Sequence, residues 1–193
     1  GGRWSTALTG SYLDSHKDRL LDNQPWVERV GRFSNQDLRL RWKHTLAFSY
    51  SRGHWSGSLS QTFSTGHQAY VWPTGVTQPG GKVDSYTRYN LSTSYTGIKN
   101  LTVNGGILYD TNAVPDATLD PALIDSDKVV PQVGVRFRTG KVTLNGTIGH
   151  VFYMDRTTAA RTVDPSGKNR NPDMAGDYST GILYALLGVG VAM

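Results

Sequence analysis

Cysteine is missing from all 193 residues, which removes disulfide staples, thiolate zinc sites and thiol nucleophiles together. Its absence fits any compartment. Long hydrophobic runs are missing too. The most apolar stretch, residues 182–193, has about half the length a helix needs to cross a bilayer. With 37% hydrophobic residues and a mean hydropathy of −0.41, a bundle of membrane helices is excluded. A membrane β-barrel is not, because its strands need apolar side chains only at alternate positions. The net charge is +5, but Lys and Arg are scattered rather than clustered with aromatics, so no nucleic-acid partner is expected.

Alternation of apolar and polar residues dominates the chain, and a period of 3.6 is hard to find. From Leu38 to Tyr50 every even position except His44 is large and apolar, while the odd positions include Arg39, Arg41 and Lys43. Similar runs follow at about 3–13, 54–65, 86–96, 100–109, 130–138, 141–153 and 178–192, giving eight expected strands. The third sets Trp55, Leu59 and Phe63 against a face of Ser and Thr. The last is apolar nearly throughout, with Leu183, Ala185, Leu187, Val189 and Val191 as its expected outward set.

Three connections are tight, at 51–53, 97–99 and 139–141, and each contains a glycine suited to a hairpin turn. Four are long, at about 14–37, 66–85, 110–129 and 154–177, and are rich in Asp, Asn, Pro and Gly. Short and long alternate strictly. That pattern predicts an all-β fold: an eight-stranded antiparallel up-and-down transmembrane β-barrel, one domain over 1–193, with no plug or hatch. The expected location is the bacterial outer membrane, with periplasmic termini and extracellular long loops. Outer-membrane lipid, lipopolysaccharide and the barrel-assembly machinery are the expected partners, and the expected function is a passive pore open to small solutes or anions, or a bare membrane scaffold. Trp4, Tyr12, Tyr50, Trp55, Tyr86, Tyr109, Tyr153 and Tyr178 are the candidate interfacial aromatics. A soluble ligand-binding barrel or sandwich is the alternative, although four loops of this length are uncommon in one.

Two stretches, "GRFSNQDLRLRWKHTLAFSYSRGHWSGSLSQTFSTG" and "GKVDSYTRYNLSTSYTGIKNLTVNGGILYD", resemble barrel strands of TonB-dependent outer-membrane receptors. That likeness covers about residues 1–110 and is most specific at 94–106. From about Tyr109 the chain resembles the C-terminal strands of long-chain fatty-acid outer-membrane transporters, the FadL family. The stretches that carry this are "YDTNAVPDATLDPALIDSDKVVPQVGVRFRTGKVTLNGTIGHVFYMDRTT" and "GDYSTGILYALLGVGVAM". The two likenesses together imply a chimeric or designed barrel, or a fragment of an uptake transporter. Neither the plug and TonB box of the first family nor the hatch of the second is expected, so no substrate is carried over. The start at Gly1-Gly2-Arg3 implies a removed leader, a fragment or an engineered chain. The end at Val191-Ala192-Met193 lacks the final aromatic that the assembly machinery reads in such barrels.

No catalytic site, cofactor or metal is expected. His16, His44, His54, His67 and His150 form no HExxH motif, and no nucleophile elbow accompanies the abundant serines. Asp110, Asp116, Asp120, Asp125 and Asp127 concentrate acid in one loop, but not at calcium-loop spacing. Contact with lipopolysaccharide through divalent ions is the plainer role, and Arg156, Arg161, Lys168 and Arg170 are able to meet lipid A phosphates. The candidate lumen-lining residues are Arg39, Arg41, Lys43, Arg88, Asn90, Asn104, Arg136, Arg138 and Asn145. Unpaired guanidinium groups in a dry interior are costly. The lumen is therefore expected to be wet and mildly anion-favouring, or loop acids such as Asp37 and Asp110 to fold in.

Overall fold

A computed structural model describes residues 1–19, 21–34, 37–68, 82–114, 125–158 and 176–192. Eight long strands form one antiparallel sheet: β1 (Arg3–Tyr12), β6 (Trp42–Arg52), β7 (Trp55–Ser64), β10 (Tyr86–Ile98), β11 (Leu101–Asp110), β12 (Lys128–Thr139), β13 (Val142–Tyr153) and β16 (Gly181–Val191). Each long strand pairs with the next along the chain, giving an up-and-down order without a crossover. Their lengths of 10 to 13 residues match the roughly 9–11 that a tilted strand needs to cross a bilayer. Among the described residues β1 pairs only with β6 and β16 only with β13, so the two outer strands each keep one free edge.

Short hairpins decorate the long connections: β2 (Lys17–Asp18) with β3 (Val27–Glu28), β4 (Phe33–Ser34) with β5 (Asp37–Leu38), β8 (His67–Gln68) with β9 (Lys82–Val83), and β14 (Arg156–Thr158) with β15 (Gly176–Tyr178). The three tight turns lie together at the opposite end. Gly53 and Gly140 take the positive φ expected there, 56° and 55°. The third turn differs. The strand runs on through Gly97 to Ile98 with a register shift after Tyr95, and Asn100 takes the positive φ of 65°. Asn tolerates that region because its short polar side chain bonds locally.

Cross-strand pairing sorts the side chains onto two faces. One row runs Phe48, Leu59, Leu91, Ile107 from β6 to β11, and another runs Val103, Val135, Gly146, Leu187 from β11 to β16. The opposite face carries the row Ser5, Ser49, Ser58, Ser92, Gly106, Gln132, Gly149, Tyr184 across all eight strands. A single cavity is lined from β1 through β13, including Ser5 on the first and Asn145 on the seventh of the long strands. The sheet therefore curls around its polar face, and the apolar face is convex.

Among the described residues the convex face has no protein partner. Trp4 is 77% exposed, Leu8 66% and Leu187 92%, whereas the one buried apolar side chain among the described residues, Val30, sits in a loop. Each large apolar side chain gains about 1.5–3 kcal/mol on leaving water, and contiguous exposed apolar surface beyond a few hundred Å² marks an interaction or membrane surface. An apolar solvent outside the sheet removes that penalty. A soluble barrel with its greasy side inward has the opposite polarity.

The first long connection is ordered around one carboxylate. Glu28 accepts hydrogen bonds from Ser15 Oγ (2.6 Å), His16 N (2.9 Å) and Val30 N (3.0 Å). The Ser15 hydroxyl, then the backbone amides, stabilise the charged form and lower its pKa to about 2. Because the folded value lies below the unfolded one, this ordering is complete above about pH 4.5 and is lost as pH falls through 2. The Glu28 carboxyl should titrate near 2 by NMR. Trypsin should cleave after Lys17 and Arg19 faster in Glu28→Gln than in the parent at neutral pH; equal rates would remove this role.

Candidate functional site

Alternation puts small hydroxyls on the concave side of β6, β7 and β10, and register lines them up. At the short-turn end the row Arg3, Ser51, Ser56, Ser94, Asn104, Gly134, Thr147 lies beside the serine row described above. All of this row, with Ser5, Ser49, Ser58, Ser92 and Gln132 of the serine row, lines a cavity of about 580 Å³. Ser58 and Ser92 share a hydrogen bond of 2.7 Å. Tyr184 reaches over Gly149, donating to Gln132 Oε1 at 3.0 Å. A Cβ at position 149 would lie 2.4 Å from that tyrosine oxygen, so the glycine makes room for the contact. Arg136 Nε donates to Asn145 Oδ1 at 2.9 Å. Among the described residues the lining contains two arginines, Arg3 and Arg136, and no carboxylate.

The long-loop end of the same face is built differently. Thr45, Thr62, Arg88, Asp110, Lys128 and Tyr153 are successive cross-strand neighbours from β6 to β13. Asp110, 2% exposed, takes both Arg88 Nη2 at 2.9 Å and Arg88 Nε at 3.3 Å, and Lys128 Nζ lies 3.8 Å away. Lys128 also meets Asp125 at 3.1 Å. The Arg88 guanidinium lies 5.6 Å from the Tyr86 ring centre, and Lys128 Nζ 5.8 Å from that of Tyr153.

This cluster continues into the loops. Asp127 accepts from Tyr109 Oη (2.8 Å) and Asn112 N (2.7 Å), while Arg156 donates to the backbone oxygens of Asp125 and Val114. The stem of the acid-rich connection is thereby tied to β11, β12 and the following loop. Of the acidic residues expected there, Asp110 folds in against the sheet, one of the two outcomes the charge argument left open, and Asp125 and Asp127 brace the stem. Asp116 and Asp120 lie outside the described residues, as do Arg161, Lys168 and Arg170.

Of the candidate lumen residues, Asn104, Arg136 and Asn145 line the cavity. Arg138 shares their face one pair nearer the turn, opposite Thr143. Lys43, Arg88 and Asn90 are on the same face farther toward the long loops. Arg39 and Arg41 precede β6, which starts at Trp42. Arg39 bridges Val30 inside the first loop, and Arg41 Nη1 bonds the Asp14 carbonyl at 3.1 Å. The alternation runs on through them because Leu38 belongs to a separate loop hairpin.

The aromatics divide. Trp4 and Tyr50 pack at 4.7 Å and Trp55 with Tyr95 at 4.6 Å on the convex face near the turns. Tyr12 meets Trp42 at 6.4 Å, and Tyr109 meets Tyr89 at 6.4 Å, on the same face toward the long loops. Tyr86 and Tyr153, expected on the girdle, belong to the concave face beside Arg88 and Lys128. Tyr178 lies in the β14–β15 hairpin, outside the main sheet. Sequence reasoning did not single out Arg3, Gln132 or Tyr184 as site residues. Arg3 and Tyr184 each occupy an alternate position of their own strand, so parity carried the signal. The contact between Gln132 and Tyr184 needed the register.

A curled antiparallel sheet, apolar outside and polar inside, with short turns at one end and long loops at the other, defines the membrane β-barrel class of fold. No family model and no curated protein matches the chain. Among solved structures the sheet is similar to the crystal structure of a Pseudomonas aeruginosa FadL homologue, with a TM-score of 0.59 and 16% sequence identity. The match covers 78% of this chain and 35% of that one, so the chain spans about a third of its length. The likeness is one of fold. It covers more of the chain than residues 109–193, where a likeness to that family was expected.

Proposed function

We propose that this chain builds the wall of an outer-membrane transport barrel, whose polar concave face is a water-filled path for small solutes and favours anions. The observation that carries the reading is the partition of the sheet: seven long strands contribute to one polar cavity while the convex face exposes Trp, Leu and Ile. In this reading the convex face meets lipid, the tight turns and both ends of the chain are periplasmic, and the long loops are extracellular near lipopolysaccharide. Delivery to the membrane is by the barrel-assembly machinery. The free edges of β1 and β16 support a wall completed by further strands, as in an uptake transporter. Closure of these eight strands on each other is the second reading, supported by the curl that brings β1 and β13 to one cavity. No catalytic role is part of either.

Planar-bilayer recording of the refolded chain in a KCl gradient tests this. Discrete current steps with a reversal potential of anionic sign are expected. Heat-modifiable electrophoresis as a monomer would assign the steps to eight closed strands, and steps only from larger species to a composite wall. A folded, inserted protein without steps would overturn the conduit.

A further inference from the structure

The positive charge of the concave face is distributed unevenly. Toward the long loops, Arg88 and Lys128 are matched by Asp110 and Asp125. Toward the turns, Arg136 bonds a neutral amide, and Arg3 has no partner among the described residues. Both guanidinium groups line the 580 Å³ cavity, to which the described residues contribute no carboxylate. Between them stand Ser58, Ser92, Asn104 and Gln132, groups that both donate and accept hydrogen bonds.

We propose that this cavity binds a small polyhydroxylated anion, of the sugar-acid class, on its way through the barrel. The assignment rests on the conduit reading above and names its cargo. Guanidinium groups recognise carboxylates through paired, charge-assisted hydrogen bonds. A cation finds no counter-charge in this cavity. An acyl chain would take water from the donors and acceptors that the serines and amides do not already share with one another, at a cost for each group so deprived. A sugar ring supplies donors and acceptors in turn around its edge and matches a face of hydroxyls and amides. The volume falls within the roughly 300–1,000 Å³ of ordinary small-molecule sites. Inorganic phosphate satisfies the arginines but leaves the hydroxyl rows to water, so the hydroxylated anion binds better.

The test is calorimetric titration of the refolded full chain with galacturonate, galactose and inorganic phosphate. Galacturonate should bind at least about tenfold more tightly than either of the others. Arg3→Gln and Arg136→Gln should each weaken it about tenfold, the equivalent of one charge-assisted hydrogen bond, and leave galactose unchanged. Ser92→Val should weaken both sugars and spare phosphate. Lys43→Gln, the same charge change on the concave face outside this cavity, should alter nothing. Heat-modifiable migration confirms that each variant folds. Phosphate binding as tightly as galacturonate, or galacturonate binding that ignores both arginine variants, would overturn the assignment. Current steps that persist without galacturonate binding or block sink the cargo and leave the conduit. Binding without steps sinks the conduit.

Discussion

Replacing Asp110 by alanine should lower the unfolding free energy by about 2 kcal/mol and make the path more anion-selective. Breaking a fully buried ion pair costs about 3–5 kcal/mol, and an exposed pair about 0.2–1. This pair lies between those limits. The Asp110 side chain is 3% exposed and that of Arg88 46%, so solvent recovers part of the loss on the guanidinium side. Lys128 adds to the cost, because it keeps Asp125 but loses its second carboxylate. Asp110→Asn keeps an acceptor near Arg88 and should lose roughly half as much. Urea unfolding in lipid vesicles measures the first effect, and the reversal potential in a salt gradient the second. The double variant with Arg88→Ala should fall short of the sum of the singles by about 1 kcal/mol. Strict additivity, or a loss below about 0.5 kcal/mol for Asp110→Ala, would mean that water already screens the cluster.

That cluster marks the limit of what alternation reveals. Period two was enough to place every long strand and to decide which face is apolar, because each strand carries its own pattern. Val135 and Phe137 against Arg136 and Arg138 suffices for β12. The juxtaposition of Arg88, Asp110 and Lys128 depends on register across two strand pairs, and a shift of one residue would turn a whole side-chain set to the other face. The tight turn between Ile98 and Leu101 sets the first of these registers, but the second spans a long connection and nothing local fixes it. Parity would have corrected Tyr86, two residues from Arg88 and therefore on its face, and likewise Tyr153, an even number of residues from Asn145. Depth along the strand drew both toward the girdle, although depth and face are separate coordinates. Arg39 and Arg41 show a second limit. A loop hairpin has the same period as a barrel strand, so alternation cannot tell where the wall begins. The turn at Asn100 was misplaced by a few residues because Gly97 was the more obvious candidate for positive φ. The glycine instead sits where the register of β10 slips.

The sharpest test of the two faces uses adjacent residues. Ile148 lies near the middle of β13 on the convex face, between Val133 and Ala185, and is 48% exposed. Thr147 is its neighbour, lining the concave cavity between Gly134 and Leu186. In a bilayer, Ile148→Arg forces a guanidinium toward the hydrocarbon midplane and should cost about 2–4 kcal/mol, whereas the lumen side tolerates charge. Thr147→Arg should cost less than about 1 kcal/mol, and it should narrow the path and lower its conductance. Urea midpoints in vesicles give the comparison directly, because both substitutions add the same side chain to the same strand. Similar small losses for the two would mean that water bathes the convex face. A larger loss at Thr147 would mean a dry, tightly filled interior. The membrane reading requires the opposite order, and it follows from a difference of one position in a strand whose period is two.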